Sequence, residues 1–453
     1  MAIEFQFQFS KMATIPIPSG LQTHKCVIGN DVLPEIPALL RECWPNDDRP
    51  VRIVADTNTW KVAGQRVQEL LQSAGIEVDT PVIFPGSVLF HAEYKYVELL
   101  REPLKGHRPV SVGSGTLNDL VKRTTEEPGI DGYLSCATAG SVDGYTSAGA
   151  AITKDGFKQT LPCAAPLVIV ADNAVVRTAP FEMTAAGYAD LAAKVPAGGD
   201  WLIADAVGAT PIHPVVWPMV QEHLREWLDN PEKLLAGDET CYANLFNGLC
   251  QTGFAMQYMK DSRPASGAEH LYSHIWEMRD IRKDGVQPSH GFKVAVGSLI
   301  TTALMEEVYF HCSAAELRQW SAAAPELTPE RRHAQIDQCL KGTTMEEGAR
   351  KVALAKLLTG EALRERQELL YATHDELAEK LRRQLLPFEE LKRRFVLLGC
   401  PTSFEEIGLN VPEWLEYSTL AAGMIRNRYT ILDVLTEWNV TKPILARVAK
   451  RFS

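Results

Sequence analysis

The chain has 453 residues, 45% of them hydrophobic and 23% charged, with a formal net charge of -11 and no long run of Lys or Arg. That balance fits an ordinary globular protein and excludes a mainly electrostatic grip on nucleic acid or on an anionic membrane surface. The length exceeds the roughly 250–300 residues at which single cores stop growing, so two domains are expected.

The first residues, Met1-Ala-Ile-Glu-Phe-Gln-Phe-Gln8, lack the basic region and apolar block of a signal peptide, and no apolar stretch approaches the roughly 20 residues that cross a bilayer. A cytoplasmic protein without a membrane span is expected. The nine cysteines are scattered and never spaced Cys-x-x-Cys, which predicts free thiols rather than a disulfide framework or a zinc knuckle. Val51-Arg-Ile-Val-Ala55 reads as a strand ending at Asp56. Val67, Leu70, Leu71 and Ala74 then share one helical face, closed by Gly75. Val110–Val112, Leu134–Ala137 and Leu167–Ala171 are further strands, so the front half alternates strand and helix as parallel sheets do. Beyond about residue 180 strand signals fade. Capping-box spacings at Ser313–Glu316, Thr373–Glu376 and Ser403–Glu406, and Thr328 before Pro329, predict helix starts. The run Glu346–Arg394 reads as solvated faces of amphipathic helices, and Ala209–Pro214 as a connecting loop. The expected architecture is an α/β Rossmann-like domain over residues 1–178 followed by an all-helical domain over 179–453.

Three segments of the front half could hold a nucleotide. After the strand at Val110 comes Gly113-Ser-Gly-Thr-Leu-Asn-Asp119, where glycines let the backbone approach a pyrophosphate and the helix start offers free N–H groups. The third glycine of a Rossmann fingerprint is missing, and a bare strand-to-helix turn would look the same. Asp56, at a strand end, could accept from a ribose diol or simply cap the following turn. Thr138-Ala-Gly-Ser141-Val-Asp143-Gly-Tyr-Thr-Ser147 is small and hydroxylic around one acid, suited either to a cofactor with a small polyol or to an ordinary loop.

In the back half Asp190, His270 and His290 form a carboxylate-plus-two-imidazole set that suits zinc, nickel or a related ion and leaves a position open for substrate. His274 lies four residues after His270, on the same face of a helix. The ligands are far apart in sequence, so spacing alone does not distinguish this set from unrelated histidines.

Taken together these segments resemble the sn-glycerol-1-phosphate dehydrogenases, within the superfamily of glycerol dehydrogenase, iron-type alcohol dehydrogenases and dehydroquinate synthase. The match runs from about Val51 to Leu299 through the segments 113–119, 138–144, Ala186-Gly-Tyr-Ala-Asp190, Ser262-Arg-Pro-Ala-Ser-Gly-Ala-Glu-His270 and His290-Gly-Phe-Lys-Val294. The resemblance implies a dehydroquinate synthase-like fold with a metal-binding helical domain. It implies NAD(P) contacts at Asp56, Gly115, Thr116, Leu117, Asn118, Asp119, Thr138, Ala139, Gly140, Ser141 and Ser147. It also implies a substrate contact at Asp143 and His274, both taken as catalytic, with Asp190 touching substrate and metal, and His270 and His290 completing the metal shell. The segment Lys194-Val-Pro-Ala-Gly-Gly-Asp200-Trp201 departs from the Ala-rich link usual in the family, and the tail after about residue 310 matches only loosely.

The expected reaction is reversible reduction of dihydroxyacetone phosphate by NAD(P)H, with one divalent ion per subunit, zinc or nickel, and His274 relaying the proton. Arg263, or secondly Lys293, would meet the phosphate; a surface or inter-helix ion pair is the alternative for each. A dehydrogenase of glycerol or another small polyol is the near rival. A carbon–oxygen lyase like dehydroquinate synthase is disfavoured by Glu269-His270, where that enzyme is expected to show Gly-His-Thr. A non-catalytic relative would bind neither metal nor nucleotide. A homodimer is expected, with a small phosphorylated substrate as its partner and no nucleic acid.

Overall fold

The computed structural model describes residues 12–86, 90–154 and 157–452; the stretch Met1–Gln8 lies outside them. The strands are β1 (Met12–Thr14), β2 (Lys25–Gly29), β3 (Val51–Asp56), β4 (Val82–Phe84), β5 (Arg108–Gly113), β6 (Leu134–Ala137), β7 (Ala150–Lys154), β8 (Phe157–Leu161) and β9 (Val168–Asp172). Seven of them form one sheet in the order β1-β2-β9-β6-β5-β3-β4, parallel throughout except for β1 against β2, while β7 and β8 pair as a separate antiparallel hairpin.

A parallel sheet covered on both faces needs strands that are apolar on both sides, which is why these read as continuous β-branched runs. Ile53, Ala55, Val110, Val112, Leu134 and Cys136 pack against Leu39, Leu40, Val67 and Leu71 from the helices Ile36–Cys43 and Gln65–Ser73. Val54 faces the other way, toward Val97, Leu100, Leu117, Leu120 and Val121 on the helices Tyr94–Leu104 and Gly115–Thr124. Each fully buried Val or Leu contributes about 1.5–3 kcal/mol relative to exposure. The strand order reverses at β3, which has β4 on one side and β5 on the other. Ligands of open α/β sheets lie outside the carboxyl ends of strands at such a point. Asp56 ends β3 and Gly113 ends β5.

No strand follows β9 among the described residues; helices take over, among them Phe181–Ala192, Lys194–Ala206, Glu239–Met259, Ala268–Met278 and His290–Tyr309. Ser313 and Glu316 form the reciprocal capping box, and Thr328 caps a helix with Pro329 at its first position. Thr373–Glu376 does not start a helix, contrary to its spacing. It lies inside Gly360–Gln384, where Thr373 Oγ1 donates to the carbonyl of Leu369 at 2.8 Å. Ser403 and Glu406 exchange the expected bonds but open only the 3-10 turn Glu405–Ile407. The unusual segment at Lys194–Trp201 is helical: Pro196 falls in the first turn, where its missing N–H is harmless, and a Cβ on Gly198 or Gly199 would meet Gln384 Nε2 at 2.4 Å or Met305 Sδ at 2.8 Å. Its two glycines serve close helix packing.

Contacts divide the chain into two compact units, one comprising the chain up to Leu191 with His223–Asp261, the other Ala192–Glu222 with the chain from Ser262 onward. No helix among the described residues is long and apolar enough to cross a membrane.

Candidate metal and cofactor site

Gly113, Ser114 and Gly115 carry the chain from β5 into the helix Gly115–Thr124. Its start has no side-chain cap, so the first-turn N–H groups point outward without one. Gly115 and Thr116 open this turn. Leu117 is buried over Gly113, where a Cβ would come 2.4 Å from its Cδ1. Asn118 is buried with Oδ1 accepting from Tyr133 Oη at 2.9 Å and Ser135 Oγ at 3.0 Å, and Asp119 Oδ2 accepts the Ala151 N–H at 3.1 Å. The side chains of residues 117–119 thus lock the turn to the sheet and the hairpin. Asp56 caps the next turn, Oδ1 accepting from the N–H groups of Asn58 and Thr59 at 2.7 and 2.9 Å. The cap considered in the sequence is therefore made.

The segment Thr138–Ser147 leaves β6 beside the same turn, with the Thr138 N–H donating to Gly113 O at 3.1 Å. Tyr145 Oη donates to Ala139 O at 2.7 Å, and Ser147 Oγ to Gly144 O at 3.2 Å. Gly140 meets Gly187 of the helix Phe181–Ala192 so closely that a Cβ on Gly187 would lie 1.8 Å from Gly140 O. Lys122, fully buried and missed in the sequence, donates to Gly144 O at 2.6 Å and Gly149 O at 3.1 Å. It ties the glycine-turn helix to the loop that carries Asp143. The Asp143 N–H donates to Oδ2 of the buried Asp190 at 2.9 Å.

His270 lies in the first turn of Ala268–Met278, His274 one turn later, and His290 opens His290–Tyr309, whose N-cap Ser289 accepts from Phe292 N at 3.3 Å. The connection turns at Asp284-Gly285, both at positive φ, between Lys283 and Val286, which exchange two backbone bonds. Such a turn demands a residue pair that tolerates the left-handed region. Farther along, a Cβ on Gly297 would be 2.4 Å from Glu269 O, so that glycine lets the two helices approach. The rings of His270 and His290 stand 5.4 Å apart between centroids, His274 and His290 6.3 Å, and His270 and His274 6.4 Å. Asp190, the third residue expected in the ion's shell, lies at 0% exposure on the helix Phe181–Ala192 of the first unit, and the two imidazoles belong to the second. Two imidazoles on neighbouring helices of one unit are the donor type that zinc, nickel and related divalent ions take, and a carboxylate would complete such a shell.

Glu269 Oε1 lies 2.8 Å from His270 Nδ1, and Glu277 Oε1 lies 2.9 Å from His290 Nδ1. Glu277, three residues beyond His274 on the same helix, is another residue the sequence reading passed over; the His-x-x-Glu spacing was its signal. Burial, opposed by Glu277 and reinforced by the neighbouring histidines, pushes the His274 imidazole down to about 4. Beneath Glu269, Asp200 Oδ2 accepts the Ala268 N–H and Oδ1 the Ile431 N–H, each at 2.6 Å; burial and then the charge of Glu269 push Asp200 up to about 7. Arg263 is buried with its terminal nitrogens donating to Tyr429 O at 3.0 Å and Asp200 O at 2.8 Å, so a phosphate contact there would require those bonds to break. Lys293 Nζ donates to Pro288 O at 2.9 Å and stands 3.5 Å from Glu277. The tail clamps this region: Arg428 bonds Ser266 and Ser262, Thr419 pairs with Tyr272, and Ser418 accepts from Trp276 Nε1.

Comparison with known proteins follows the same lines. The family model described as iron-containing alcohol dehydrogenase matches residues 27–180. The glycerol-1-phosphate dehydrogenase (NAD(P)+) of Geobacillus thermodenitrificans is 31% identical over 293 residues, 64% of this chain and 72% of its own length. That of Bacillus licheniformis is 28% identical over 433 residues, 94% of this chain and 92% of its own. The match to the Halalkalibacterium halodurans protein of the same name, 32% identical, spans 64% of that protein, just under two thirds. Among solved structures, glycerol dehydrogenase from Schizosaccharomyces pombe superposes with a TM-score of 0.57 at 14% identity, covering 95% of this chain and 91% of its own. NADH-dependent butanol dehydrogenase A from Thermotoga maritima gives 0.55 at 16%, covering 96% and 98%. At these identities the structures show the shared fold alone.

Proposed function

The chain belongs to the glycerol-1-phosphate dehydrogenase family, and from that premise we propose that it interconverts dihydroxyacetone phosphate and sn-glycerol 1-phosphate as an NAD(P)-dependent, metal-dependent oxidoreductase. The observation that carries the reading is the pair His270 and His290, ring centroids 5.4 Å apart, with His274 one helical turn from His270. When bound, the nicotinamide exchanges a hydride with the substrate carbon and the divalent ion, zinc or nickel, stabilises negative charge on its oxygen.

His270, His290 and Asp190 would hold that ion. His274, one helical turn beyond His270, would take the alcohol proton in the oxidative direction and return it in the reductive one. The uncapped turn at Gly115 and Thr116 would bind the cofactor pyrophosphate through backbone N–H groups, with Leu117, Asn118 and Asp119 holding the turn in place. Thr138, Ala139, Gly140, Ser141 and Ser147 would line the cofactor on the side of β6. Asp56 would meet the ribose through Oδ2, since Oδ1 is committed to the cap; that would favour NAD over NADP. Asp143 would bind the polyol, fixed by its bond to Asp190. For the phosphate we favour Lys293, which stands by Glu277 beside the histidines and would give up one carbonyl, that of Pro288, whereas Arg263 would give up two. A cytoplasmic homodimer completes the reading.

The test is oxidation of NADH and NADPH by the purified protein with dihydroxyacetone phosphate, and the reverse reaction with glycerol 1-phosphate against glycerol. Turnover of the phosphorylated pair with net change in the nicotinamide is expected; turnover of glycerol alone, or none with either, would end the proposal.

A further inference from the structure

Glu277, in the last turn of Ala268–Met278, meets two of the site's imidazoles at once. Its Oε1 lies 2.9 Å from His290 Nδ1 and its Oε2 lies 3.5 Å from His274 Nδ1, with a side chain only 6% exposed. Lys293 Nζ stands 3.5 Å from Oε1, so one carboxyl group meets two imidazoles and an ammonium. An ionised carboxylate can only accept hydrogen bonds. A ring that bonds such an acceptor does so through Nδ1–H, and in a neutral imidazole that leaves Nε2 as the atom with a lone pair.

We infer that Glu277 is a positioning residue that fixes the ring plane and the Nδ1–H tautomer of both His290 and His274, presenting one Nε2 to the ion and the other to the substrate proton. The inference rests on the function proposed above, which gives those two histidines their roles. It follows from geometry that spacing along one helix supplies in part: Glu277 shares a face with His274, and the Asp284-Gly285 turn brings His290 back against it. His270 is held in the same manner by Glu269, whose Oε1 also accepts the Gly267 N–H at 2.6 Å. Gly267 is required there, since a Cβ would fall 2.5 Å from Asp200 Oδ2 and 2.8 Å from Glu269 Oε2. Carboxylates behind metal-bound histidines fix tautomer and orientation, and their loss typically weakens metal binding by about 10- to 100-fold.

Glutamine separates this role from simple packing. It has nearly the same shape, but one of its two ends donates, so either His274 or His290 must give up Nδ1–H to face it. The experiment uses the full chain as wild type, Glu277→Gln and Glu277→Asp, with histidine-selective 15N labelling to read ring tautomers in the metal-free state. Zinc affinity is read in parallel by competition with a chromophoric chelator. The wild type is expected to show Nδ1–H at both rings; Glu277→Gln should convert one of them and weaken zinc by about 10- to 100-fold. Glu277→Asp, still an acceptor at both oxygens, should restore the tautomers, and it carries the test if Glu277→Gln does not fold. Tautomers and zinc affinity in Glu277→Gln that match the wild type would overturn the inference, as would Nε2–H rings in the wild type. A wild type that shows both Nδ1–H rings but takes up no zinc and no nickel would uphold the positioning role while ending the proposed metal chemistry.

Discussion

The backbone N–H of Asp143 donates to the Asp190 carboxylate across 2.9 Å, joining two sequence motifs 47 residues apart. The carboxylate proposed for the ion therefore also holds the loop proposed for the substrate. Asp190→Ala should take this acceptor from the part-buried Asp143 N–H and cost about 1–3 kcal/mol of stability in denaturant unfolding. Asp190→Asn keeps an oxygen for that N–H, so it should unfold close to wild type while binding less metal. Equal destabilisation by both would contradict the hydrogen-bond account.

Gly187 has no room for a methyl group, since its Cβ would lie 1.8 Å from Gly140 O. Gly187→Ala should push the helix off the Thr138–Ser141 segment, costing about 1–3 kcal/mol or more and lowering NADH affinity, read by thermal melting and fluorescence titration. Gly348, with nothing within 4 Å in the helix Glu346–Lys356, is the matched control: Ala there should stabilise by roughly 0.5–1 kcal/mol.

Glu437 is buried beside Tyr429 and Arg366, and burial outweighs the arginine enough to push it up to about 7 from its ordinary 4.5. Because the folded value is raised, protonation favours the fold. This contribution is fully present below about pH 4.5 and lost as pH rises through about 7, on the order of 3 kcal/mol in all. Glu437→Gln should remove that slope, so the melting temperature of the variant relative to wild type should climb between pH 5 and pH 8. A pH-independent difference would show that Glu437 stays ionised throughout.

Arg263 joins Asp200 and Tyr429 through their carbonyls, and its truncation should cost about 1–3 kcal/mol for each carbonyl left unpaired. The KM for dihydroxyacetone phosphate should change less in Arg263→Ala than in Lys293→Ala. A rise confined to phosphorylated substrate in Arg263→Ala, with stability intact, would return the phosphate to Arg263.

The strands were legible because both faces of a parallel sheet are buried: Leu134–Ala137 forms the strand its apolar run predicts, and Val51 to Asp56 ends where the carboxylate stands. Caps were legible where a side chain meets its own first turn, as at Ser313 and Thr328. Thr373 shows the limit, since the same spacing arises inside a long helix whose tertiary contacts carry it through. What no local pattern could announce were long-range partners. Lys122 bonds carbonyls 22 and 27 residues away, and Arg428 reaches Ser266 across 162 residues, so the tail's hold on the His270 helix became visible only in the fold.

The most direct measurement is activity against metal content in one preparation, stripped by chelator and reconstituted stepwise with zinc or nickel. Reduction of dihydroxyacetone phosphate by NADH should rise in proportion to bound ion, saturate at one per chain, and be absent in His270→Ala and His290→Ala. Full turnover by protein that holds no ion would contradict the account at its root.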